Sequence, residues 1–274
     1  MLNISNFFFA GILVFSCFNL SSQSSEAVST PLRIGETVTF YSNELGEDRS
    51  INVYLPHGYD KSAEDAYSVI YLLDGSIEED FLHITGIVQF GTFTWINMIP
   101  PSIVVGIVNV DRKRDFTYPS SDARDQKDFP TSGGFSKFNN YLSHELIPYI
   151  NSQYNVNDNS TLIGQSLGGL CATQILLEDP VMFTNYIIVS PSLWWDSEQI
   201  LEREFPQLRN DQSIYIAVGK EGEVMERVAH ELYKTLSPQS NCHFLFLEDK
   251  EHGDVLHIAA YQALETIFKT PEGE

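Results

Sequence analysis

TLIGQSLGGLCATQILL, residues 161–177, is the stretch on which the fold turns. Three residues of strand character lead into Gly164-Gln165-Ser166-Leu167-Gly168, and an apolar helix-forming run follows. A G-x-S-x-G pentapeptide alone is a moderate signal. Between a buried strand and a helix it has the setting of a nucleophile elbow. A serine on so sharp a turn needs minimal neighbours, and glycines supply the room. Ser166 is the candidate nucleophile. The Leu167 N–H, at the helix N-terminus, is the candidate donor to an oxyanion. The plain alternative is a glycine-rich strand–helix turn holding an incidental serine.

Outward from this stretch, strands and helices alternate. Residues 34–42 and 51–55 read as strands joined by a turn at 43–48, an antiparallel hairpin. SVIYLL (68–73) and SIVVGIVNV (102–110) are continuous apolar runs, the mark of strands buried on both faces. Residues 78–98 read as a helix between them. Residues 111–134 read as a long polar loop without structure, a candidate lid. A helix over 135–154 carries Pro148, a kink site. Strand 160–164 enters the elbow and helix 168–177 leaves it. Strand 186–190, a helix near 197–205, strand 213–218, helix 224–236, strand 243–247 and helix 255–268 complete the chain. The fold class is α/β: a mostly parallel central sheet with an antiparallel N-terminal hairpin and helices on both faces. No linker or repeat interrupts residues 26–274, which read as one domain.

A serine of this kind needs an imidazole base, and in this architecture the order along the chain is Ser, acid, His. Of the histidines after Ser166, His230 falls within a helix, His243 opens a strand and His257 lies inside the last helix. His252, in EDKEHG (248–253), sits in a polar loop after the last strand and is the choice. The spacing of His252 and His257 does not fit an HExxH zinc helix. The acid belongs in the loop after IYIAV (214–218), which offers Glu221 and Glu223; Glu221 is favoured, and Asp196 is a third candidate. A second oxyanion donor is expected from Asp74-Gly75-Ser76, through the N–H of Gly75 or Ser76. The plain reading of Asp74 is a turn former.

The 274 residues carry 37 acidic and 16 basic side chains, a formal charge of −21. That charge repels nucleic acid and anionic membrane, so neither is an expected partner. Three cysteines exclude a disulfide scaffold, and Cys171 and Cys242 read as core thiols outside any disulfide, without metal-ligand spacing. FFFAGILVFSCF (7–18) has the length of a signal-peptide core, too short to span a bilayer, and SSQSSEAVST (21–30) suits a cleavage zone. Residues 1–25 therefore read as a signal peptide and the mature chain as periplasmic or secreted, with no membrane span. The n-region lacks Lys and Arg. A lipid anchor at Cys17 is the lesser alternative, because Phe15 is too bulky for a good lipobox.

With these residues in view, the sequence resembles the esterase family that includes enterochelin (siderophore) esterases and esterase-D-like hydrolases of the α/β-hydrolase fold. The resemblance rests on VYLPHGYD (53–60), VIYLLDG (69–75), GIVNVDRKRDFT (106–117), LIGQSLGGLCA (162–172), IIVSPSLWWD (187–196), VGKEGEVM (218–225) and KEHGDVL (250–256). It also includes the helix GFSKFNNYLSHELIPYINSQY. It implies hydrolysis of a small-molecule carboxylic ester through an acyl-enzyme on Ser166, with His252 as general base, the acid in the Glu221 loop, and no metal or cofactor. His57 stands where the family usually shows Pro and reads as surface. The resemblance does not specify the ester. A ferric siderophore would want a basic cleft, and beyond Arg112, Lys113 and Arg114 the chain offers little, so a general acyl esterase is preferred to a siderophore esterase. Trp194 and Trp195 are candidate pocket walls, with core packing as the alternative. Arg112 is a candidate holder of a substrate carboxylate, with pairing to a neighbouring aspartate as the alternative. An acyltransferase on the same fold, an inactive binding module and a zinc hydrolase are the competing readings.

Overall fold

The strand β1 (Glu36–Ser42) pairs antiparallel with β2 (Glu47–Tyr54), and β2 pairs antiparallel with β4 (Ser102–Ile107). The remaining strands are parallel: β3 (Tyr67–Leu72), β5 (Val156–Gln165), β6 (Asn185–Val189), β7 (Ser213–Gly219) and β8 (Asn241–Leu247). Together they form one 8-stranded sheet in the order β1-β2-β4-β3-β5-β6-β7-β8. The computed structural model describes residues 28–238 and 241–268. The expected signal peptide and Cys17 lie outside the described residues. Residues from Ile34 onward make one compact unit.

The apolar runs of β3 and β4 follow from cover on both faces. Val69, Tyr71 and Leu73 join one core and Ile70 and Leu72 the other. The first core is closed by α4 (Phe135–Asn140), α5 (Ile147–Gln153), α6 (Leu167–Glu178) and α7 (Glu223–Leu236). The second is closed by α1 (Phe81–Gly91) and α8 (Val255–Phe268). This is the three-layer arrangement of α/β hydrolases, and the expected sheet and hairpin are both present. Among the described residues no helix is long and apolar enough to cross a membrane.

Three expectations need correction. Helix α1 ends at Gly91 rather than at 98 because the chain turns back there: the N–H groups of Met98 and Ile99 donate to Gly91 O at 2.9 and 3.2 Å, and Asn97 has φ 47°. Residues 111–134 are not structureless. They contain α2 (Arg112–Asp115) and α3 (Ala123–Asp128), capped by Asp111 and Asp122, whose carboxylates accept from Arg114 N and Arg124 N. The helix expected near 197–205 is a 3-10 segment, Trp195–Glu202, with positive φ at Asp196, Ser197 and Glu198. The kink at Pro148 is a π-helical turn, Tyr141–Leu146, just before it. Proline has no N–H for the carbonyl four residues back, and the helix widens there.

An ion cluster fixes α2 to the sheet. Arg49 of β2 is fully buried, and its Nη1 donates to Asp115 Oδ2 at 2.7 Å. Arg114 Nε donates to Asp115 Oδ1 at 2.7 Å, and Arg114 Nη2 reaches Glu47 Oε1 at 2.5 Å. Removing one partner of a buried pair strands the other charge. Asp115→Ala is therefore expected to cost about 3–5 kcal/mol of unfolding free energy. Urea titration of the two proteins measures this, and a loss below about 1 kcal/mol would show that the cluster contributes little.

Candidate active site

Ser166 stands between β5 and α6 with φ 59° and ψ −120°, a conformation that costs a non-glycine residue about 1–3 kcal/mol. The surroundings hold it there. Its N–H donates to Val189 O of β6 at 3.1 Å, and its carbonyl accepts from Leu170 N and Ser192 N, each at 3.0 Å. A Cβ at Gly164 would fall 2.3 Å from Gly168 O, so the turn closes only with glycine there. Ser166 Oγ lies 3.4 Å from Ser192 Oγ. Leu167 is the first residue of α6, so its N–H has no acceptor within the helix and stands at the positive end of the helix dipole.

The loops after β7 and β8 bring Glu221 and His252 together. His252 Nδ1 lies 2.5 Å from Glu221 Oε2, and the Glu221 side chain is only 3% exposed. Glu221 Oε1 accepts from Ser190 Oγ and, at 3.0 Å, from Gly219 N–H. Burial alone would raise the Glu221 carboxyl. The hydrogen bonds from His252, Ser190 and Gly219 outweigh it and hold the carboxyl below the ordinary carboxylate range. An ionised carboxylate can only accept, so His252 Nδ1 carries the proton and Nε2 is left as the acceptor. The other two acid candidates are placed elsewhere. Glu223 is exposed at the start of α7. Asp196 Oδ1 accepts from Ser121 N at 2.6 Å and from the hydroxyls of Ser121 and Ser120. Among the histidines set aside, His257 stacks on His83 with ring centroids 4.3 Å apart.

A second network ties the His252 loop to the elbow. Gln165 Nε2 donates to His252 O at 2.6 Å, and Gln165 O accepts from Arg112 Nη2 at 3.2 Å. Arg112 grips Asp74 with both arms, Nε to Oδ1 at 2.6 Å and Nη2 to Oδ2 at 2.9 Å. Asn109 Nδ2 adds a bond to Asp74 Oδ1 at 2.7 Å. Removing the Gln165 amide should let the base drift from the nucleophile, and small misplacements are costly in catalysis. Gln165→Met is expected to lower kcat about tenfold or more with KM little changed. Steady-state kinetics on any accepted ester reads this, and a KM effect with normal kcat would count against it.

The loop after β3 departs from expectation. Gly75 N–H is engaged by Ile107 O at 2.9 Å, so Gly75 is not an available oxyanion donor. Its role is packing: a Cβ on Gly75 would lie 2.3 Å from Gly106 Cα. Ser76 N–H is held only by a 3.3 Å contact to Glu79 Oε2. Arg112, expected to face a substrate carboxylate, has Nε and Nη2 occupied by Asp74 and Gln165. The two tryptophans separate. Trp195 is fully buried, its Nε1 donating to Tyr118 O at 3.0 Å, while Trp194 is half-buried and lines a cavity beside Ser166.

That cavity, about 520 Å³, is bounded by Val110, Asp111, Arg112, Lys113, Phe129, Leu167, Ser192 and Trp194 together with Ser166. A second, about 400 Å³, is bounded by Ser166, Gln165, His252, Gly253, Arg112, Asp74, Glu79 and Asp80. Ser166 and His252 thus open on one hollow. A larger cavity of about 580 Å³ lies at the opposite ends of the strands, around Tyr71, Asn157 and Thr184, and holds none of these groups. Ser190, Asp74, Ser192 and Gln165 were not singled out as site residues in the sequence. Each lay in a stretch the sequence did mark: Gln165 as a variable position of the G-x-S-x-G pentapeptide, Asp74 in the turn after VIYLL, and Ser190 and Ser192 in IIVSPSLWWD.

The family model described as "Putative esterase" matches residues 42–267. Ferri-bacillibactin esterase BesA of Bacillus subtilis (strain 168) is 28% identical over 89% of this chain and 93% of its own length. Among solved structures, the BES protein from Bacillus cereus superposes with a TM-score of 0.78 at 27% identity, covering 89% of this chain and 100% of that one. An IroE-like serine hydrolase from Shewanella oneidensis gives 0.75 at 27% identity, over 86% and 80%.

Proposed function

The chain belongs to the "Putative esterase" family, and on that premise we propose that it is a serine carboxylesterase working through an acyl-enzyme on Ser166. The observation that carries the reading is that His252, backed by the buried Glu221, opens with Ser166 on a single hollow. Ser166 Oγ attacks the ester carbonyl as its proton passes to His252 Nε2. Glu221 holds the imidazole in the required tautomer and stabilises the imidazolium. The Leu167 N–H receives the developing oxyanion. His252 then returns the proton to the leaving alcohol as the C–O bond breaks. Water, activated by the same imidazole, attacks the acyl-enzyme and releases the acid.

Trials with p-nitrophenyl acetate, butyrate and octanoate test this, alongside labelling by a fluorophosphonate probe. The expected result is turnover that the probe abolishes, with its mass on the peptide containing Ser166. Label elsewhere, or no label with turnover intact, would overturn the reading.

A siderophore ester is the second reading, favoured by similarity to a protein named ferri-bacillibactin esterase. Against it stands the charge of the cleft: its lining carries two cations, Arg112, which is bound to Asp74, and Lys113, against the carboxylates of Asp74, Glu79, Asp80 and Asp111. Turnover of a ferric triscatecholate ester well above that of p-nitrophenyl butyrate would establish the second reading over the first. Export through residues 1–25 is also proposed, on the apolar run 7–18. A mature N-terminus found at position 1 would refute it.

A further inference from the structure

Two hollows share Ser166 and Arg112 but differ in chemistry, and the reaction assigns each a half of the substrate. In ester cleavage the alcohol oxygen takes its proton from the general acid, so that oxygen must lie beside the imidazole. His252 bounds the 400 Å³ hollow and not the 520 Å³ one. The alcohol half therefore belongs in the smaller hollow. The acyl half extends from Ser166 into the larger, along Val110, Phe129 and Trp194.

The two sides differ in charge: the alcohol side is acidic and the acyl side is balanced. On the alcohol side stand Asp74, Glu79, Asp80 and one guanidinium. That guanidinium is paired with Asp74, which leaves the charges of Glu79 and Asp80 in excess. Glu79 Oε1 accepts from Asn109 Nδ2 at 3.1 Å, a neutral donor. Asp80 Oδ1 is 3.6 Å from His257 Nε2. On the acyl side one carboxylate, Asp111, is held by Arg114 N–H at 3.0 Å and Thr131 Oγ1 at 3.1 Å, and the exposed Lys113 offsets its charge, with Nζ 4.6 Å from the Phe129 ring centroid. The formal charge of −21 adds a long-range pull on cations.

We propose, resting on the esterase reading, that the cleft sorts its ester by side. The acyl half packs against Phe129 and Trp194. The alcohol half sits between His252 and the carboxylates of Glu79 and Asp80, which favour a positively charged alcohol and reject an anionic one. The charge rule is one-sided: the same carboxylate is tolerated on the acyl half, where Lys113 stands, and penalised on the alcohol half.

The test uses three butyrate esters, of choline, of its neutral isostere 3,3-dimethylbutanol and of 3-hydroxypropionate. Their kcat/KM values are compared at low ionic strength on the wild-type chain. The expected order is choline, neutral, anionic, with about fivefold or more between neighbours, compressed in about 1 M salt. The Glu79→Gln/Asp80→Asn chain should narrow the spread, and Trp194→Ala should alter acyl preference without altering the charge order. Moving the carboxylate to the acyl half, as p-nitrophenyl hydrogen glutarate against p-nitrophenyl valerate, should remove the penalty. If the neutral ester is hydrolysed but all three run within about twofold, or the anionic one is fastest, the sorting is wrong while the esterase stands. An unchanged spread in the double variant refutes it equally. If the wild type hydrolyses none of the esters, or Ser166→Ala hydrolyses them as well, the esterase reading fails and the sorting falls with it.

Discussion

Ser166→Ala is expected to lower kcat by about 10⁵- to 10⁶-fold on every accepted ester. In the proposed mechanism the hydroxyl is the group that bonds to the acyl carbon, and no other side chain takes over that step. What remains is oxyanion stabilisation and binding, worth about 10³–10⁴ over water in well-studied serine hydrolases. The backbone fastening of residue 166 uses its N–H and C=O, to Val189, Leu170 and Ser192, and alanine keeps all of it. The variant should therefore fold normally, which circular dichroism checks. A kcat within about tenfold of wild type would remove Ser166 from the mechanism.

Glu221→Gln is expected to lower kcat by about 10³–10⁴-fold. The amide can offer an N–H to Nδ1, which favours the wrong imidazole tautomer and disables Nε2 as a base. The exposed neighbour supplies the control: Glu223→Gln at the start of α7 should stay within about twofold of wild type, since surface changes away from special features have small effects. If Glu223→Gln is the crippled variant, the acid has been misassigned. The depressed Glu221 carboxyl also sets a sign. Its interactions stabilise the folded chain above the carboxyl's unfolded pKa, and that stability is lost as pH falls through the lower, folded value. The Glu221–His252 tie therefore persists into mild acid.

The parallel sheet was legible because strand-length apolar runs alternate with helix-forming runs along the chain. SVIYLL, with residues that feed opposite cores, is the clearest case. Ser166 was legible because an elbow imposes local requirements on consecutive residues. Glu221 was legible only as one of three carboxylates. What separates it from Asp196 is the company of Ser190 and Gly219 against that of Ser120 and Ser121, and no local pattern encodes such partners. Arg112 shows the same limit: its pairing with Asp74 crosses 38 positions. Two adjacent tryptophans, 194 and 195, look alike in sequence yet go one to a cavity wall and one to the core. Residues 111–134 looked structureless because α2 and α3 are too short for periodicity to show.

The positive φ of Ser166 sets heat resistance against turnover at a single residue. Glycine meets φ 59° and ψ −120° without the steric penalty of a Cβ, at a cost of about 0.5–1 kcal/mol in chain entropy. Relief of about 1–3 kcal/mol leaves a net gain for a dead protein, a rise of a few degrees in melting temperature. Stability alone thus favours glycine at 166, and only the chemistry proposed for the hydroxyl asks for serine.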